Sequence, residues 1–592
     1  MNLFDRLRER WYRRRPWYDI PTLFSVRRLI EVRNQLRREN LHDTEEPPWE
    51  RKDIPANLDP KLRNQRSIDG TYNDLHYPRM GSAGARLGRN VPLQYTIPDR
   101  VNLLIPSPRT VSLELMTRDQ FQPATIVNLL AAAWIQFMVH DWFVHKKAPG
   151  DPILIPIGAD DPWPEKPMRV PRTLASPAPP GSSRPPAYEN ENSHWWDGSQ
   201  IYGCDPATVA KLRTGVNGKL KVQADGKLLL DPESGVDLTG FIDNWWIGLS
   251  LFHALFTVEH NAICDQLKSR QPSWTDDQLY AKARLINAAL MAKIHTVEWT
   301  LAILPHPTIQ LGLRTNWYGI AGEKLQDAFK FLDDSEILGG IVGSEADHHA
   351  APYSLTEEFV SVYRMHPLIP DELTIRSVGN GRPLETVSFP DLAGRKNRAV
   401  LERHSMTDLF YSFGVTHPGA IRLHNYPRHL QFLTRDDGTI FDLAAVDILR
   451  DRERGVPRYN QFRRLIHKEP VKSFEELTDN PQWASEIRRV YNGDLESVDL
   501  MVGLFAEPLP KGFGFSETAF RVFILMASHR LKSDRFFTDD YGPELYTEWG
   551  IRYIRDNGLA SILQRHFPGV GAAVAGLENP FAPWKAVAGS PP

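Results

Sequence analysis

The sequence predicts a mostly α-helical protein, in which a single large helical domain contains nearly all of the regular structure. Long stretches without Pro carry apolar residues at helical spacing, most clearly at 241–267 and 276–304. Residues 218–230, GKLKVQADGKLLL, alternate around an Asp-Gly turn and predict one short β-hairpin. No repeat of fixed period occurs, which argues against a solenoid.

Composition excludes several classes of function. The 592 residues are 41% hydrophobic and include 16 Trp and 27 Phe, enough for a large core, while a net charge of -3 argues against a general nucleic-acid binder. Two cysteines, Cys204 and Cys264, allow no disulfide framework and no Cys-based metal site. No apolar run reaches the roughly 18 residues of a membrane span, and the N-terminus lacks the apolar region of a secretory signal. We therefore expect an intracellular protein.

The composition also divides the chain into segments. Residues 1–39 hold eleven Arg and five acidic residues interleaved with Trp, Phe and Leu. This pattern suits amphipathic helices that contact a membrane surface peripherally, and equally an arm packed on the body with its Arg side chains solvated. Residues 40–117 are predicted to be an extended wrapping segment, 118–567 the main domain with an exposed Pro-rich loop at 152–186, and 568–592 a C-terminal tail.

The helix predicted at 128–145, NLLAAAWIQFMVHDWFVH, extends upstream to about Arg118 and is apolar on most of its circumference, which indicates burial. It nevertheless carries Gln136, His140, Asp141 and His145. Buried polar groups need partners, so a pair of satisfied core histidines is the plain explanation. The clustering of four such groups favours a functional site.

Later helices are predicted near 353–370, 441–451, 458–466, 482–491, 497–506, 516–531 and 556–566. The helix at 353–370 begins with a Ser-x-x-Glu capping pattern at Ser354 and is ended by Pro367. Tyr363 and His366 then share one helix face, and a His before a helix-ending Pro is well placed to bind a haem iron. By itself this spacing is weak evidence.

A second polar group could hold a hard cation such as calcium. Alternating residues of a Gly-containing loop can offer side-chain and backbone oxygens to one ion, with a carboxylate added from the central helix. The residues are Asp141, Ser193, Trp195, Asp197 and Ser199. An ordinary Asx turn at Asp197-Gly198 is the alternative.

A third group could bind a carboxylate. His295 and Thr300 lie on one predicted helix and Arg530 near the end of another, and an Arg with a His and a hydroxyl suits that ligand. Surface or interhelical contacts are the alternative for each residue.

Seven motifs together resemble the fatty-acid α-dioxygenases, which belong to the haem peroxidase–cyclooxygenase (animal haem peroxidase) superfamily. The motifs are QFMVHDW, HWWDGSQIYG, EHNAICD, AKIHTVEWT, YSLTEEFVSVYRMHPLIP, RDRERGVPRYNQFRR and KGFGFSETAF. They extend in order from about Asp69 to Phe567, so the resemblance covers most of the chain. It implies one helical catalytic domain with haem b and Ca2+ as cofactors.

The resemblance also implies roles for individual residues. His140 matches the distal histidine with Gln136 one turn before it, and Tyr363 matches the radical-forming tyrosine. The residues implied at the haem are the iron ligand His366, His145, Asn460 as the partner of the proximal imidazole, and the propionate partners Arg454 and Arg458. The calcium ligands implied are Asp141, Ser193 (in place of a Thr), Trp195, Asp197 and Ser199. The fatty-acid carboxylate is implied to bind His295, Thr300 and Arg530.

The implied reaction is oxygenation of a long-chain fatty acid with O2, after activation by hydrogen peroxide. A Tyr363 radical removes a hydrogen from the α-carbon, and oxygen adds to give a 2-hydroperoxy fatty acid, an oxylipin precursor. The alternatives are a haem peroxidase that oxidises small donors, and a haem-binding or membrane-surface protein without turnover.

Two departures from the family pattern bear on this. FIDNWW at 241–246 lacks the Arg that peroxidases place ahead of the EHN helix, which favours an oxygenase. The clamp helix has His529 before Arg530, where relatives have two arginines. Unlike the cyclooxygenases, the chain has no epidermal-growth-factor-like module.

Overall fold

Helices dominate the computed structural model, which describes residues 15–319, 336, 339–435 and 438–587. The longer helices are α1 (Thr22–Glu39), α2 (Leu129–Trp142), α3 (Ile247–Arg270), α4 (Asp276–Ile294), α5 (Pro307–Tyr318), α6 (Met406–Val415), α7 (Leu443–Glu453), α8 (Pro481–Val490), α9 (Glu517–Ser533) and α10 (Pro543–Asp556). Shorter helical segments include Pro60–Asn64, Pro108–Val111, Ser199–Tyr202, Pro206–Leu212, Glu357–Val362, Phe389–Leu392, Asn397–Arg403, Tyr459–Leu465, Phe474–Leu477, Leu500–Ala506, Leu559–His566 and Gly571–Val574. The prediction of a mostly α fold is confirmed.

The β structure differs in position from the prediction. Within the described residues, three antiparallel pairs form: β1 (Ile153–Ile155) with β2 (Met168–Val170), β3 (Glu372–Arg376) with β4 (Pro383–Ser388), and β5 (Leu433–Thr434) with β6 (Ile440–Phe441). The hairpin predicted at 218–230 is wrong. Its Asp-Gly turn forms, but the backbone N–H and C=O of Leu220 bond to the Asn261 side chain on α3 instead of to a partner strand. The Pro-rich loop, expected to be exposed and irregular, contains β1 and β2, whose inward side chains pack around the buried Trp163.

The core is built around α2, α3 and α4. Helix α2 packs on α3, and α3 on α4. The α2 side chains Trp134 and Phe137 are fully buried. The helix begins only at Leu129, so its predicted extension to Arg118 is wrong: residues 117–128 contain Pro123 and bridge to residues 419 and 426.

The N-terminal segment packs on the body. Helix α1 contacts α5 and α9, and its residues Leu29, Val32 and Leu36 are buried, whereas Leu23 is 80% exposed. Residues 1–14 of the predicted basic arm lie outside the described residues, and membrane contact through 1–39 stays a prediction. In the part of the chain that the structure describes, no helix has both the length and the apolarity to cross a membrane.

The C-terminal segment is held in the same core. The Asn128 side chain donates to the carbonyls of Pro580 and Ala582 at 2.8 Å, just before α2 begins. The Trp584 indole is 5% exposed and lies directly on Gly414, where a Cβ would come within 2.1 Å of the ring. Only a glycine allows this close approach.

Replacing Trp584 should therefore destabilise the whole molecule. We expect Trp584→Ala to lower the free energy of unfolding by about 3–5 kcal/mol, because it removes a large buried side chain and leaves a cavity. Chemical denaturation measures the change. Val216→Ala, at a side chain that is 61% exposed, is the control and should change stability by less than about 0.5 kcal/mol. Equal stability of both variants would show that the C-terminal segment is not part of the core.

Candidate functional site

Helix α2 places Gln136 and His140 one turn apart on the same helix face. The His140 ring is buried against the edge of Phe241 at 4.7 Å between centroids. Its Nδ1 has no hydrogen-bond partner among the described residues. Burial lowers the pKa of His140 to about 3, so the ring is neutral.

Gln136 is oriented by the segment that lacks the peroxidase arginine. The Trp246 indole N–H donates to Gln136 Oε1 at 2.8 Å, and Gln136 Nε2 donates to the Asn244 carbonyl at 3.1 Å. Asn244 adopts a positive φ of 51°, which turns its carbonyl toward the glutamine.

Tyr363 and His366 were predicted to share one helix face, and this prediction is wrong. The helix ends at Val362, and its N-cap is Thr356, whose Oγ1 accepts the Phe359 N–H, in place of the predicted Ser354. Tyr363 is the C-cap residue, and His366 begins a separate 3-10 turn, His366–Leu368. Pro367 lies inside this turn.

The Nδ1 side of the His366 ring faces the carboxylate of Asp447. His366 Nδ1 is enclosed and lies 2.8 Å from Asp447 Oδ2, a close contact that lacks hydrogen-bond geometry, while 33% of the side chain is exposed. Asp447 also receives hydrogen bonds from Arg364 at 2.8 Å and from the Tyr426 hydroxyl at 3.0 Å. Burial raises the pKa of Asp447, but His366 and Arg364 outweigh it and bring the value to about 2. A carboxylate that fixes Nδ1 leaves Nε2 as the ring nitrogen available to a metal.

The prediction that Asn460 holds this imidazole is wrong. The Asn460 amide donates to the Val471 carbonyl and to Glu496, and its oxygen accepts the Val471 N–H. Asp447 was missed by the sequence analysis. The available signal was an acidic residue inside the apolar stretch AAVDIL, where a buried charge requires a partner.

Glu357 brings His145 and Arg454 together. His145 Nε2 is 3.0 Å from Glu357 Oε1, and Arg454 Nη1 is 3.8 Å from Glu357 Oε2. Burial raises the pKa of Glu357, but the neighbouring His145 and Arg454 charges bring it to about 2. Arg458 is placed differently: it pairs with Asp499, which also binds Arg452.

Arg530 and His295 meet around two tryptophans. The Arg530 guanidinium lies 4.4 Å from the Trp142 ring and 4.5 Å from the Trp196 ring, and its Nε and Nη2 have no hydrogen-bond partner among the described residues. The His295 ring lies 5.2 Å from Trp142 and 5.3 Å from Trp196. Nε and Nη2 form the edge of the guanidinium that binds a carboxylate in bidentate fashion.

A π-helical turn, His295–Trp299, sets the orientation of His295. The Trp134 indole N–H donates to His295 Nδ1 at 3.2 Å, so the hydrogen of the neutral ring is on Nε2. Burial, together with the Arg530 charge, holds the pKa of His295 well below its usual range. The Thr300 hydroxyl donates to the His295 carbonyl at 2.8 Å.

Trp142 connects these groups to Tyr363. The Tyr363 ring is 5.1 Å from the Trp142 ring. His529, in contrast, does not join the group around Arg530, because its Nδ1 lies 3.0 Å from His349 Nδ1 and its ring contacts Tyr353. The departure at His529 therefore leaves the pairing edge of Arg530 unaffected.

The predicted calcium ligands also lie together. The Ser199 backbone N–H donates to Asp141 at 2.6 Å and to Asp197 at 3.1 Å, and the Ser193 hydroxyl accepts the Trp195 N–H. Burial and repulsion from Asp197 raise the pKa of Asp141 to about 7, and one oxygen of each carboxylate has no hydrogen-bond partner among the described residues.

The carboxylate pair is partly balanced by an arginine. Arg284 Nη2 lies 3.2 Å from Asp197. In the described ranges, no group of three or more His, Cys, Asp or Glu side chains is arranged to hold a metal. The two aspartates would therefore need neutral hydroxyl and carbonyl oxygens to complete a cation site.

Comparisons with known proteins agree over almost the whole chain. Residues 65–575 match the animal haem peroxidase family. The chain is 39% identical to alpha-dioxygenase PIOX of Oryza sativa, over 97% of this chain and 94% of that one. It is 38% identical to alpha-dioxygenase 1 of Arabidopsis thaliana, over 96% and 90% of the two chains.

Solved structures give the same result. The structure of Oryza sativa fatty acid alpha-dioxygenase superposes with a TM-score of 0.91 at 38% identity, covering 99% of this chain and 98% of that one. A Tyr-to-Phe variant of that protein was solved with palmitic acid, and it superposes equally well. The Arabidopsis thaliana fatty acid alpha-dioxygenase superposes with a TM-score of 0.90 at 36% identity, covering 100% and 94%.

The assignment of Asp447 makes a prediction about haem retention. We expect Asp447→Ala to weaken haem binding by about 10- to 100-fold, because a histidine that loses its outer partner is no longer held toward the metal. Titration of the purified protein with haem, followed by Soret absorbance, measures the affinity. Asn460→Ala is the matched control and should retain the wild-type affinity. A lower haem affinity in Asn460→Ala than in Asp447→Ala would contradict the role of Asp447 and favour Asn460 as the partner of the His366 ring.

Proposed function

The chain belongs to the animal haem peroxidase family and to the α-dioxygenases within it, and on that premise we propose that this oxidoreductase inserts O2 at the α-carbon of a long-chain fatty acid. The observation that carries the proposal is the placing of Arg530. A buried guanidinium with a free pairing edge lies on the same tryptophan, Trp142, that contacts Tyr363. A carboxylate bound at Arg530 would hold the adjacent carbon close to the tyrosine.

The fatty-acid head group suits the donors present. Arg530 offers Nε and Nη2, and neutral His295 offers its Nε2 hydrogen. An unpaired buried cation is costly, so a carboxylate at this position would be strongly favoured. Thr300 is buried beside His295, and its hydroxyl would join the proposed clamp by turning from the His295 carbonyl to the carboxylate.

The acyl chain has an apolar path from this point. The Phe523 ring lies 6.0 Å from Tyr363 and 6.4 Å from His295. The same Phe523 lines an apolar cavity between helices α1, α5 and α9, together with Leu29, Ile30, Ile309, Leu313, Phe520 and Ile524. We propose that the acyl chain extends past Phe523 into this cavity.

The family implies haem, and we propose that it is haem b, because the residues described above offer a histidine ligand and a second, neutral histidine. His366 would hold the iron through Nε2, with Asp447 next to Nδ1, and His140 would act as the acid–base group with Gln136 beside it. Glu357 holds His145 and Arg454 next to each other, and we propose that Arg454 binds a haem propionate. When bound and activated by hydrogen peroxide, the haem supplies one-electron oxidation of Tyr363.

The protein's own groups then perform the proton and hydrogen transfers. Neutral His140 accepts a proton from hydrogen peroxide and returns it to the departing oxygen. Burial raises the pKa of Tyr363, so its phenol loses an electron and a proton together. The resulting radical removes a hydrogen atom from C2 of the fatty acid. O2 adds to that carbon to give a peroxyl radical, which takes a hydrogen atom back from the Tyr363 phenol; this forms the 2-hydroperoxy fatty acid and renews the tyrosyl radical. The product can lose CO2 and water to leave an aldehyde one carbon shorter.

The two buried aspartates suit Ca2+. Asp141 directly follows His140 and precedes Trp142, so a cation there would fix the end of α2 on which the distal histidine lies. Ser193, Ser199 and the Trp195 carbonyl would supply the neutral oxygens.

Tyr363→Phe tests the proposed function. We expect it to abolish fatty-acid oxygenation while leaving peroxide-driven guaiacol oxidation largely intact, because the phenol is needed only to attack C2. Oxygen consumption with palmitic acid and guaiacol oxidation are measured on the same haem-loaded protein. Tyr411→Phe, which alters a buried hydroxyl that accepts the Val587 N–H, is the control and should retain both activities. Oxygenation at an unchanged rate in Tyr363→Phe would favour the alternative, a haem peroxidase whose donors are small molecules.

Removal of calcium is expected to destabilise the protein. At a free Ca2+ concentration 100-fold above its dissociation constant, binding adds about 2.7 kcal/mol to the free energy of unfolding. Thermal unfolding with Ca2+ and with a chelator should therefore differ in the wild type and coincide in Asp141→Asn. Mg2+ at the same concentration is the control for ionic strength. Identical unfolding of the wild type in both conditions would contradict a calcium site.

A further inference from the structure

Two oxidisable indoles lie next to the tyrosine that is proposed to carry the radical. The Tyr363 and Trp142 ring centroids are 5.1 Å apart, and Trp142 and Trp196 are 5.9 Å apart. All three side chains are buried, and neither indole N–H has a hydrogen-bond partner among the described residues. The three rings therefore form a continuous row of contacts from Tyr363 through Trp142 to Trp196.

This arrangement presents a chemical problem for a radical enzyme. An electron passing from Trp142 to the Tyr363 radical, together with the proton that the phenol gave up on oxidation, would regenerate the phenol; the Trp142 indole, whose N–H has no acceptor among the described residues, would be left as a radical cation. An electron from Trp196 would then move the oxidised site to the second indole. Each such step would remove the oxidising equivalent from C2 without forming product.

Arg530 faces both indoles. Its guanidinium lies over the Trp142 and Trp196 rings at 4.4 and 4.5 Å, and no carboxylate pairs with it among the described residues. Asp141 is close enough for the Arg530 charge to act on its carboxyl, but no ion pair forms between them; Ser199 bonds to Asp141, and Arg284 pairs with Asp197. A neutral indole is stabilised by a cation on its face, whereas an indole radical cation is repelled by it.

We propose that Arg530, besides binding the substrate carboxylate, holds the oxidising equivalent on Tyr363 by making Trp142 and Trp196 harder to oxidise. This inference rests on the proposed function, because it requires a Tyr363 radical. The effect is strongest when no fatty-acid carboxylate is bound to the guanidinium. A bound carboxylate offsets the Arg530 charge. In that complex, however, C2 lies beside Tyr363 and can give a hydrogen atom to the tyrosyl radical before an indole is oxidised.

The test identifies the radical in haem-loaded protein treated with hydrogen peroxide in the absence of fatty acid. Electron paramagnetic resonance of protein labelled with ring-deuterated Tyr or ring-deuterated Trp distinguishes the two radicals. In the wild type we expect a tyrosyl signal that is lost in Tyr363→Phe. In Arg530→Gln we expect the ratio of tryptophanyl to tyrosyl radical to rise about tenfold or more, because the facing charge is removed.

Two matched variants separate charge from packing. Arg530→Lys keeps the charge and should retain the tyrosyl signal, and Arg530→Gln combined with Trp142→Phe should restore it by removing the first electron donor. The wild type offers a measurement without mutation: saturating 2,2-difluorohexadecanoate, which has no hydrogen at C2, compensates the Arg530 charge and should increase the tryptophanyl share.

Tyrosyl radical alone in both Arg530→Gln and the difluoro-acid complex would overturn the inference while leaving the proposed function intact. Absence of any Tyr363-dependent signal in the wild type would overturn both.

Discussion

The structure depends on how polar side chains are accommodated on helix α2, which runs through an apolar core. A buried polar group costs free energy unless it is paired. Gln136 is paired by Trp246 and Asn244, and Asp141 by Ser199, so the helix is fixed by polar contacts on both sides of His140. His140 itself is left with an unpartnered Nδ1 and a strongly lowered pKa. A rigid, neutral histidine is the form that a proton acceptor requires.

The buried charges near His366 and those near Tyr363 differ in sign. On the side of His366, the carboxylates of Asp447 and Glu357 are buried and ionised because neighbouring cations and histidines outweigh the cost of burial. On the side of Tyr363, Arg530 is a buried cation without a carboxylate partner in the described part of the chain. The first arrangement positions ring nitrogens, and the second favours an anionic ligand. The difference explains why a carboxylic acid is the substrate class proposed.

Much of the fold could be predicted from the sequence because α3, α4 and α9 carry long apolar patterns with helical period. Features that depend on distant partners could not. The Asp-Gly turn forms no hairpin because the Asn261 side chain bonds to the backbone that a partner strand would have used. Asp447 rather than Asn460 lies next to the His366 ring, because tertiary structure decides which residue packs against the 3-10 turn. The site residues could be predicted only together, from seven motifs in the order that the family has them. The spacing of Tyr363 and His366 alone was misleading, because the two residues do not lie on one helix.

The central claim is that a carboxylate held at Arg530 directs Tyr363 to the α-carbon. The most direct measurement is mass spectrometry of products formed by haem-loaded protein from palmitic acid carrying two deuterium atoms at C2, under 18O2. The account predicts the loss of one deuterium and the appearance of 18O on C2 in the 2-hydroperoxy acid. Retention of both deuterium atoms, with 18O on another carbon, would contradict it.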